Sequence, residues 1–242
     1  MRTNLNFGKV APDYRAFTWF GRPLLLSSRT QGQNQAKLDR IIDVELARGC
    51  DGFVLRITAK SNDAAFDKQI ALFEATLQSY SKSAFIYIDI NEVGIARPVL
   101  DVLKQYQFSR GYMFASRNPK VLCELWPDAT ADSNFAIIVD IEQRLSNIKR
   151  CPYTTVELLD ALATHERINE VHHSMKEVFV RGMFGKDRSI GVRELKNIEK
   201  RVNWLVHEAV DAIITERTDL LSSMLSLGTW TRPMNGMHTA AS

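Results

Sequence analysis

Short, continuously apolar runs alternate with longer segments of helical periodicity along most of this chain, and that alternation is its strongest constraint. The runs are 23–28 (PLLLSS), 52–57 (GFVLRI), 84–90 (AFIYIDI), 111–115 (GYMFA), 135–141 (FAIIVDI), 168–173 (INEVHH), 177–182 (EVFVRG) and 210–215 (VDAIIT). Most are rich in Ile, Val and Phe and show no polar face. A strand reads this way when both of its faces are buried, as in a parallel sheet covered by helices.

Between them lie amphipathic segments. AKLDRIIDVELARG groups Leu38, Ile41, Ile42, Val44 and Leu46 mostly on one face and stops at Gly49. DAAFDKQIALFEATLQSY repeats the pattern with Phe66, Ile70, Phe73 and Leu77. RPVLDVLKQY, PKVLCELW and TDLLSSMLSL are shorter, and ELKNIEKRVNWLVHEAV directs Leu195, Ile198, Val202, Leu205 and Val206 towards a core. TTVELLDALATHER opens with Thr154 and Glu157 at capping-box spacing, which predicts a helix there. Strands and helices in strict alternation over 242 residues predict an α/β fold, a (β/α)8 TIM-type barrel with a parallel sheet. The link between the sixth and seventh runs is short, so one helix is reduced there. The expected divisions are residues 1–21 as an N-terminal segment capping the barrel, 22–227 as the barrel, and 228–242 as an irregular tail. In the first of these, Trp19 is expected to pack at the barrel bottom.

The net charge is +3 and the 31 basic residues are scattered, which disfavours nucleic acid as a partner. No stretch reaches the roughly 18 apolar residues of a membrane span. Cys50, Cys123 and Cys151 are far apart and odd in number, so no disulfide framework or Cys-x-x-Cys metal site is expected. With no secretory signature at the N-terminus, the expectation is a soluble cytoplasmic protein, with homo-oligomerisation left open.

Several stretches, taken together, resemble the glycerophosphodiester phosphodiesterase family of the PLC-like phosphodiesterase superfamily. AVDAIITERTDLL resembles that family's last strand and turn, GVDGIITDYPDLL. RGCDGFVLRITAKSND resembles its second strand, GADYIELDVQLTKDG, and AFIYIDIN its third, which carries LEIK. SRNPKVLCELWPD resembles the segment after the fourth strand, and LLLSSRTQ stands where the family begins with IAHRG. The resemblance spans about residues 22 to 222, in order.

The resemblance implies a divalent cation held by carboxylates, two histidines for proton transfer and an arginine for phosphate. A hard cation wants oxygen ligands, and displacement at phosphorus needs proton transfer at both oxygens. Here the histidine of the first motif corresponds to Ser28, its arginine to Arg29 and its glycine to Thr30. The second-strand Glu and Asp correspond to Val54 and Arg56, and the third-strand Glu and Lys to Asp89 and Asn91. No histidine precedes His165, and RGMFGKDRSIG has no counterpart of the family's WTVN. The resemblance therefore implies a degenerate active site with no metal and no cofactor. Arg29, Arg56 and Asn91 are the candidate ligand contacts, joined by Lys186 and Arg188 from the Gly-containing loop GMFGKDR. The expected partner is an anionic, phosphorylated small molecule bound without phosphodiester hydrolysis. The alternative is a metal-independent enzyme acting on a phosphate or diphosphate, with Asp89, Glu142 or His172 transferring protons. Glu92 and Glu142 are a further candidate acid/base pair. Ion pairing of Arg29 and Arg56 with Asp89 or Asp51 is the structural alternative.

Overall fold

A computed structural model describes residues 22–29, 34–58, 64–125, 134–140, 153–183 and 190–227. The expected N-terminal cap, with Trp19, and the tail from 228 lie outside them. Eight parallel strands form one closed sheet in sequential order, β1 to β8. They are β1 Leu24–Ser27, β2 Gly52–Ile57, β3 Phe85–Ile90, β4 Tyr112–Ser116, β5 Phe135–Val139, β6 Thr155–Leu159, β7 Glu177–Met183 and β8 Ala212–Thr215. Leu24 to Ser27 pair in register with Ala212 to Thr215, which closes the barrel.

Among the described residues, seven α-helices cover the outside: α1 Gln35–Ala47, α2 Ala64–Tyr80, α3 Ala96–Leu103, α4 Pro119–Leu125, α5 His165–His173, α6 Val192–His207 and α7 Thr218–Leu227. The first is typical of their local logic. Asn34 caps it by accepting a hydrogen bond from the Lys37 amide at 3.0 Å. Leu38, Ile42 and Glu45 then recur on one face and are buried. Gly49, at φ +92°, turns the chain towards β2 through a conformation that disfavours side chains with a Cβ.

Alternation along each strand divides the apolar residues into two cores. Outward-facing Leu25, Phe53, Leu55, Ile86, Ile88, Ile137, Val178, Val180 and Ile213 pack against the helices. Inward-facing Leu24, Leu26, Val54, Phe85, Tyr87, Met113, Ala115, Ala136, Ile138, Phe179, Ala212 and Ile214 fill the barrel. Gly52 takes an inward position on β2. A Cβ there would stand 2.0 Å from the Phe85 carbonyl oxygen, so only glycine lets β2 and β3 approach as they do.

Two elements differ from the sequence expectation. Residues 155–159 form β6, not the start of a helix, and 168–173 belong to α5, not to a strand. The cap that starts a helix here is Thr164, which accepts from the Arg167 amide, ten residues after the expected one. Glu157 is not a capping residue; it points into the barrel and is fully buried. The link from β6 to β7 contains a 3₁₀ turn, Asp160–Leu162, and the nine-residue α5, shorter than α1, α2 or α6. Leu195, expected in the core, is 38% exposed.

Two polar clamps fix the barrel's ends. Below β1 and β2, the Arg22 guanidinium grips both oxygens of Asp51 at 2.7 and 3.0 Å. The same carboxylate accepts the Leu25 amide at 2.8 Å. Outside the seam between β1 and β8, buried Glu45 accepts hydrogen bonds from Ser27 Oγ (2.9 Å), Thr218 Oγ1 and Arg48 Nη1 (2.9 Å).

Candidate arginine-lined barrel mouth

Because every strand runs the same way, the inward alternation of each ends at one common mouth. Extending it gives Arg56 on β2, Asp89 and Asn91 on and after β3, Arg117 after β4, Asp140 after β5, and Arg181 on β7. Arg56 and Asp89 are register partners across the β2–β3 pair. Asp89 is fully buried. Its Oδ2 lies 3.1 Å from Arg56 Nε, 3.6 Å from Arg181 Nη1 and 3.9 Å from Arg117 Nη1. Its Oδ1 accepts from Asn91 Nδ2 at 2.7 Å. Asn91 Oδ1 accepts in turn from the Arg117 amide at 2.8 Å, so β3 positions the turn after β4.

Beneath this layer sits a deeper one. Arg181 Nε is 2.5 Å from Glu157 Oε1, and Arg181 Nη2 donates to Glu157 Oε2 at 2.9 Å. The Tyr87 hydroxyl donates to the same Oε2, and the guanidinium lies 5.5 Å from the Tyr87 ring centroid. Burial, together with the Glu157 charge, raises the Tyr87 pKa well above its ordinary value, so the phenol remains a donor. Burial works against the Arg181 charge, but Glu157, Tyr87 and Asp89 outweigh it and raise its pKa. Glu157 and Arg181 therefore form a neutral ion pair in the barrel interior, joined by the Nη2–Oε2 hydrogen bond and the close Nε–Oε1 contact.

The outer arms are more open. Arg56 is 36% exposed, Arg117 33% and Asp140 29%. Arg117 Nε pairs with Asp140 Oδ2 at 3.3 Å. Arg56 engages Asp89 through Nε, the inner nitrogen of its fork.

The residues singled out in the sequence are distributed as follows. Arg56, Asp89 and Asn91 meet at the mouth. Arg29 does not join them: it approaches Glu45 at 3.9 Å and contributes to lowering the Asp219 pKa, over α1 and α7. Alternation explains this, since Ser28 follows Leu24 and Leu26 inward and Arg29 turns out. His172 is a correction. It lies in the last turn of α5, its Nε2 3.8 Å from Asp211 Oδ2 just before β8, at the end of the barrel opposite the mouth. His173 also ends that helix, with Nδ1 2.6 Å from the Asn169 carbonyl oxygen. Glu92 is half-buried in the β3–α3 link. Glu142, Lys186 and Arg188 lie outside the described residues. Among the described residues, no three His, Cys, Asp or Glu side chains converge as a metal site would require. Nor is any helix among the described residues long and apolar enough to cross a membrane.

Sequence reasoning missed Arg117, Asp140, Glu157 and Arg181. Two of them were within reach. Met113, Ala115 and Arg117 share one alternation, as do Ala136, Ile138 and Asp140.

No protein-family model and no curated protein matches this chain. Solved structures do. A glycerophosphodiester phosphodiesterase from Thermotoga maritima superposes with a TM-score of 0.59 at 14% identity, over 84% of this chain and 98% of that one. A phosphodiesterase from Oleispira antarctica, solved with the product sn-glycerol-3-phosphate, gives 0.58 at 10% identity, over 86% and 99%. The fold is a (β/α)8 barrel similar to that of these phosphodiesterases. Malate synthase from Haloferax volcanii also superposes, at 0.56 and 8% identity over 86% of this chain and 75% of that one. At such identities the likeness concerns the barrel, and the glycerophosphodiester phosphodiesterase-like fold leaves the chemistry to be argued from the mouth itself.

Proposed function

We propose that this barrel binds an anionic, phosphorylated small molecule at its mouth and does not hydrolyse phosphodiesters. The observation that carries the reading is the Arg56–Asp89 pair. Arg56 occupies a strand-end position where the family resemblance calls for a metal-binding carboxylate. Asp89 fixes it through Nε and leaves the outer fork of the guanidinium facing a one-third exposed opening. A fork held this way suits a phosphate or carboxylate oxygen pair.

The residues present do not suit a divalent cation. The two second-strand positions are Val54 and Arg56, and Asp89 Oδ2 already has three guanidiniums within 3.9 Å. A calcium ion needs about six to eight oxygen ligands, and a magnesium ion about six. Among the described residues the mouth offers Asp89 and Asp140, each already paired with arginine. Proton transfer by Asp89, the basis of the enzymatic alternative, has weaker support. Both of its oxygens are engaged and the residue is fully buried. The cytoplasm remains the expected location, and a homo-oligomer remains open.

The test is a thermal-unfolding screen of the purified protein against phosphomonoesters, phosphodiesters and diphosphates in EDTA, with hydrolysis followed in parallel. A ligand at a hundred times its Kd stabilises by about 2.7 kcal/mol, a rise of roughly 5–10 °C for a domain of this size. The expected result is a metal-independent rise that Arg56→Ala abolishes, without turnover. A rise that requires Mg²⁺ or Ca²⁺, or phosphodiester turnover, would overturn the reading, as would no rise with any compound.

A further inference from the structure

One carboxamide decides how Asp89 is shared at the mouth, and so how Arg56 is presented. Asp89 is fully buried near the end of β3. The closest approach of each neighbouring guanidinium falls on the same oxygen, Oδ2: Arg56 Nε at 3.1 Å, Arg181 Nη1 at 3.6 Å and Arg117 Nη1 at 3.9 Å. The other oxygen, Oδ1, accepts from Asn91 Nδ2 at 2.7 Å. Asn91 is fixed at its opposite end, where its Oδ1 accepts the Arg117 amide at 2.8 Å. A backbone N–H only donates, so the carboxamide oxygen must face it and the side-chain NH2 must face Asp89. The chain at Arg117 is itself held. Buried Ser116 ends β4, and its Oγ accepts the Asn118 amide at 3.0 Å. Asn91 is half-buried, with both polar ends in use.

We propose that Asn91 is a positioning residue and not a ligand contact, and that it acts by keeping Oδ1 of Asp89 away from Arg56. Its role in ligand binding rests on the anion-binding reading of the mouth. A carboxylate beside a guanidinium often takes it two ways, with one oxygen on Nε and the other on an Nη. The terminal torsion of an aspartate is soft, so Asp89 could reach that geometry if Oδ1 were released. One Nη would then be shared between Asp89 and an incoming phosphate, and the guanidinium plane would turn to suit the aspartate. Held by Asn91, Oδ1 stays out. Asp89 orients Arg56 through the single Nε bond, the one hydrogen bond Arg56 makes among the described residues. Asn91 therefore sets the fork at one remove, from a residue that need not touch the ligand.

The experiment is binding of inorganic phosphate in EDTA, read by calorimetry and by NMR of protein isotopically labelled at asparagine and arginine. In the unmodified protein, phosphate should move the Arg56 side-chain signals and leave the Asn91 side-chain amide in place. Asn91→Leu should weaken phosphate roughly fivefold, the worth of about one hydrogen bond at a partly exposed site. In an Arg56→Lys background, which offers a point charge and no fork, the same change should cost less than about twofold. Without ligand, Asn91→Leu should hinder rotation about the Arg56 Cζ–Nη bonds, so that Nη signals averaged in the unmodified protein separate. Equal losses in the two backgrounds, or an Asn91 amide signal that moves with those of Arg56, would make Asn91 a ligand contact and overturn the proposal. Undiminished phosphate affinity in Asn91→Leu would overturn it too. The amide measurement uses the unmodified protein, so it decides even if Asn91→Leu does not fold. Nη signals that stay averaged in Asn91→Leu would overturn the control of Asp89, whatever the ligand result. Absence of phosphate binding to the unmodified protein, or binding indifferent to Arg56→Ala, would instead remove the anion-binding reading.

Discussion

Replacing Arg181 by Met should be among the most damaging single changes in this barrel, although it removes no apolar contact area of note. The side chain is 7% exposed and pairs with Glu157 through one hydrogen bond at 2.9 Å and an ion-pair contact at 2.5 Å. Methionine fills much of the same space, so the loss is electrostatic. Glu157 would keep the Tyr87 hydroxyl but face no positive charge, at zero exposure. Asp89 would keep Arg56 and Arg117. Removing one partner of a buried ion pair costs about 3–5 kcal/mol, which lowers Tm by roughly 6–20 °C for a domain of this size. Urea unfolding with circular dichroism reads the first figure and calorimetry the second. The comparison that isolates the cause is the triple variant Arg181→Met, Glu157→Leu, Tyr87→Phe, which removes the charge, its partner and the hydroxyl that Glu157 satisfied. It should recover most of the loss, because the cost lies in the orphaned carboxylate and not in the missing bond. A loss below about 1 kcal/mol in Arg181→Met would refute the argument. So would a triple variant no more stable than the single one.

Three further outcomes follow from the packing. Gly52→Ala should give insoluble or unfolded protein on expression, since its Cβ would meet the Phe85 carbonyl at 2.0 Å and no rotamer relieves a backbone clash; a folded variant of near-normal Tm would contradict it. Cys50, 7% exposed and with its thiol pKa pushed up to about 12 by burial and by Glu45, should resist iodoacetamide at pH 8. Peptide mass mapping should find exposed Cys123 alkylated well before Cys50; the reverse order would be inconsistent with this packing. Burial tends to raise the Asp219 pKa, but the Arg217 fork at 3.2 Å and the Arg29 charge prevail and lower it. A carboxylate depressed in the folded state contributes stability above its unfolded pKa, about 3.9, and loses it as pH falls through the lower folded value. Asp219→Asn should therefore destabilise at pH 7 and converge with the unmodified protein below pH 3, as pH-dependent urea unfolding would report.

Seven of the eight strands were legible because their outer and inner faces are both apolar, and an uninterrupted run such as FIYIDI has few other interpretations. The sixth was not. Val156, Leu159 and Leu162 fall three apart, as on a helix, and Glu157 interrupts what would otherwise be a strand. That carboxylate is admitted to the interior by Arg181, 24 residues later, and by Tyr87, 70 residues earlier. Periodicity is a local property and holds no trace of partners so distant. The mouth was legible in part through motif correspondence, which found Arg56, Asp89 and Asn91. Alternation followed past each strand's last hydrogen bond would also have found Arg117 and Asp140. Arg29 was chosen by motif position, whereas the alternation of β1 sends it out towards Glu45. His172 was placed through the misread strand, so its error has the same source.

The buried Glu45 carboxylate draws hydroxyls from Ser27, 18 residues before it, and from Thr218, 173 residues after it. During synthesis, the first contact is available almost at once and the second only when the final helix begins. Until then the nascent barrel carries a carboxylate whose intended shelter is incomplete, beside a β1 edge that still lacks β8. Such an open edge is an invitation to pair with other chains. Removing the last helix should therefore harm yield in the cell more than the small area it covers would suggest, and the damage should fall on the oldest part of the chain.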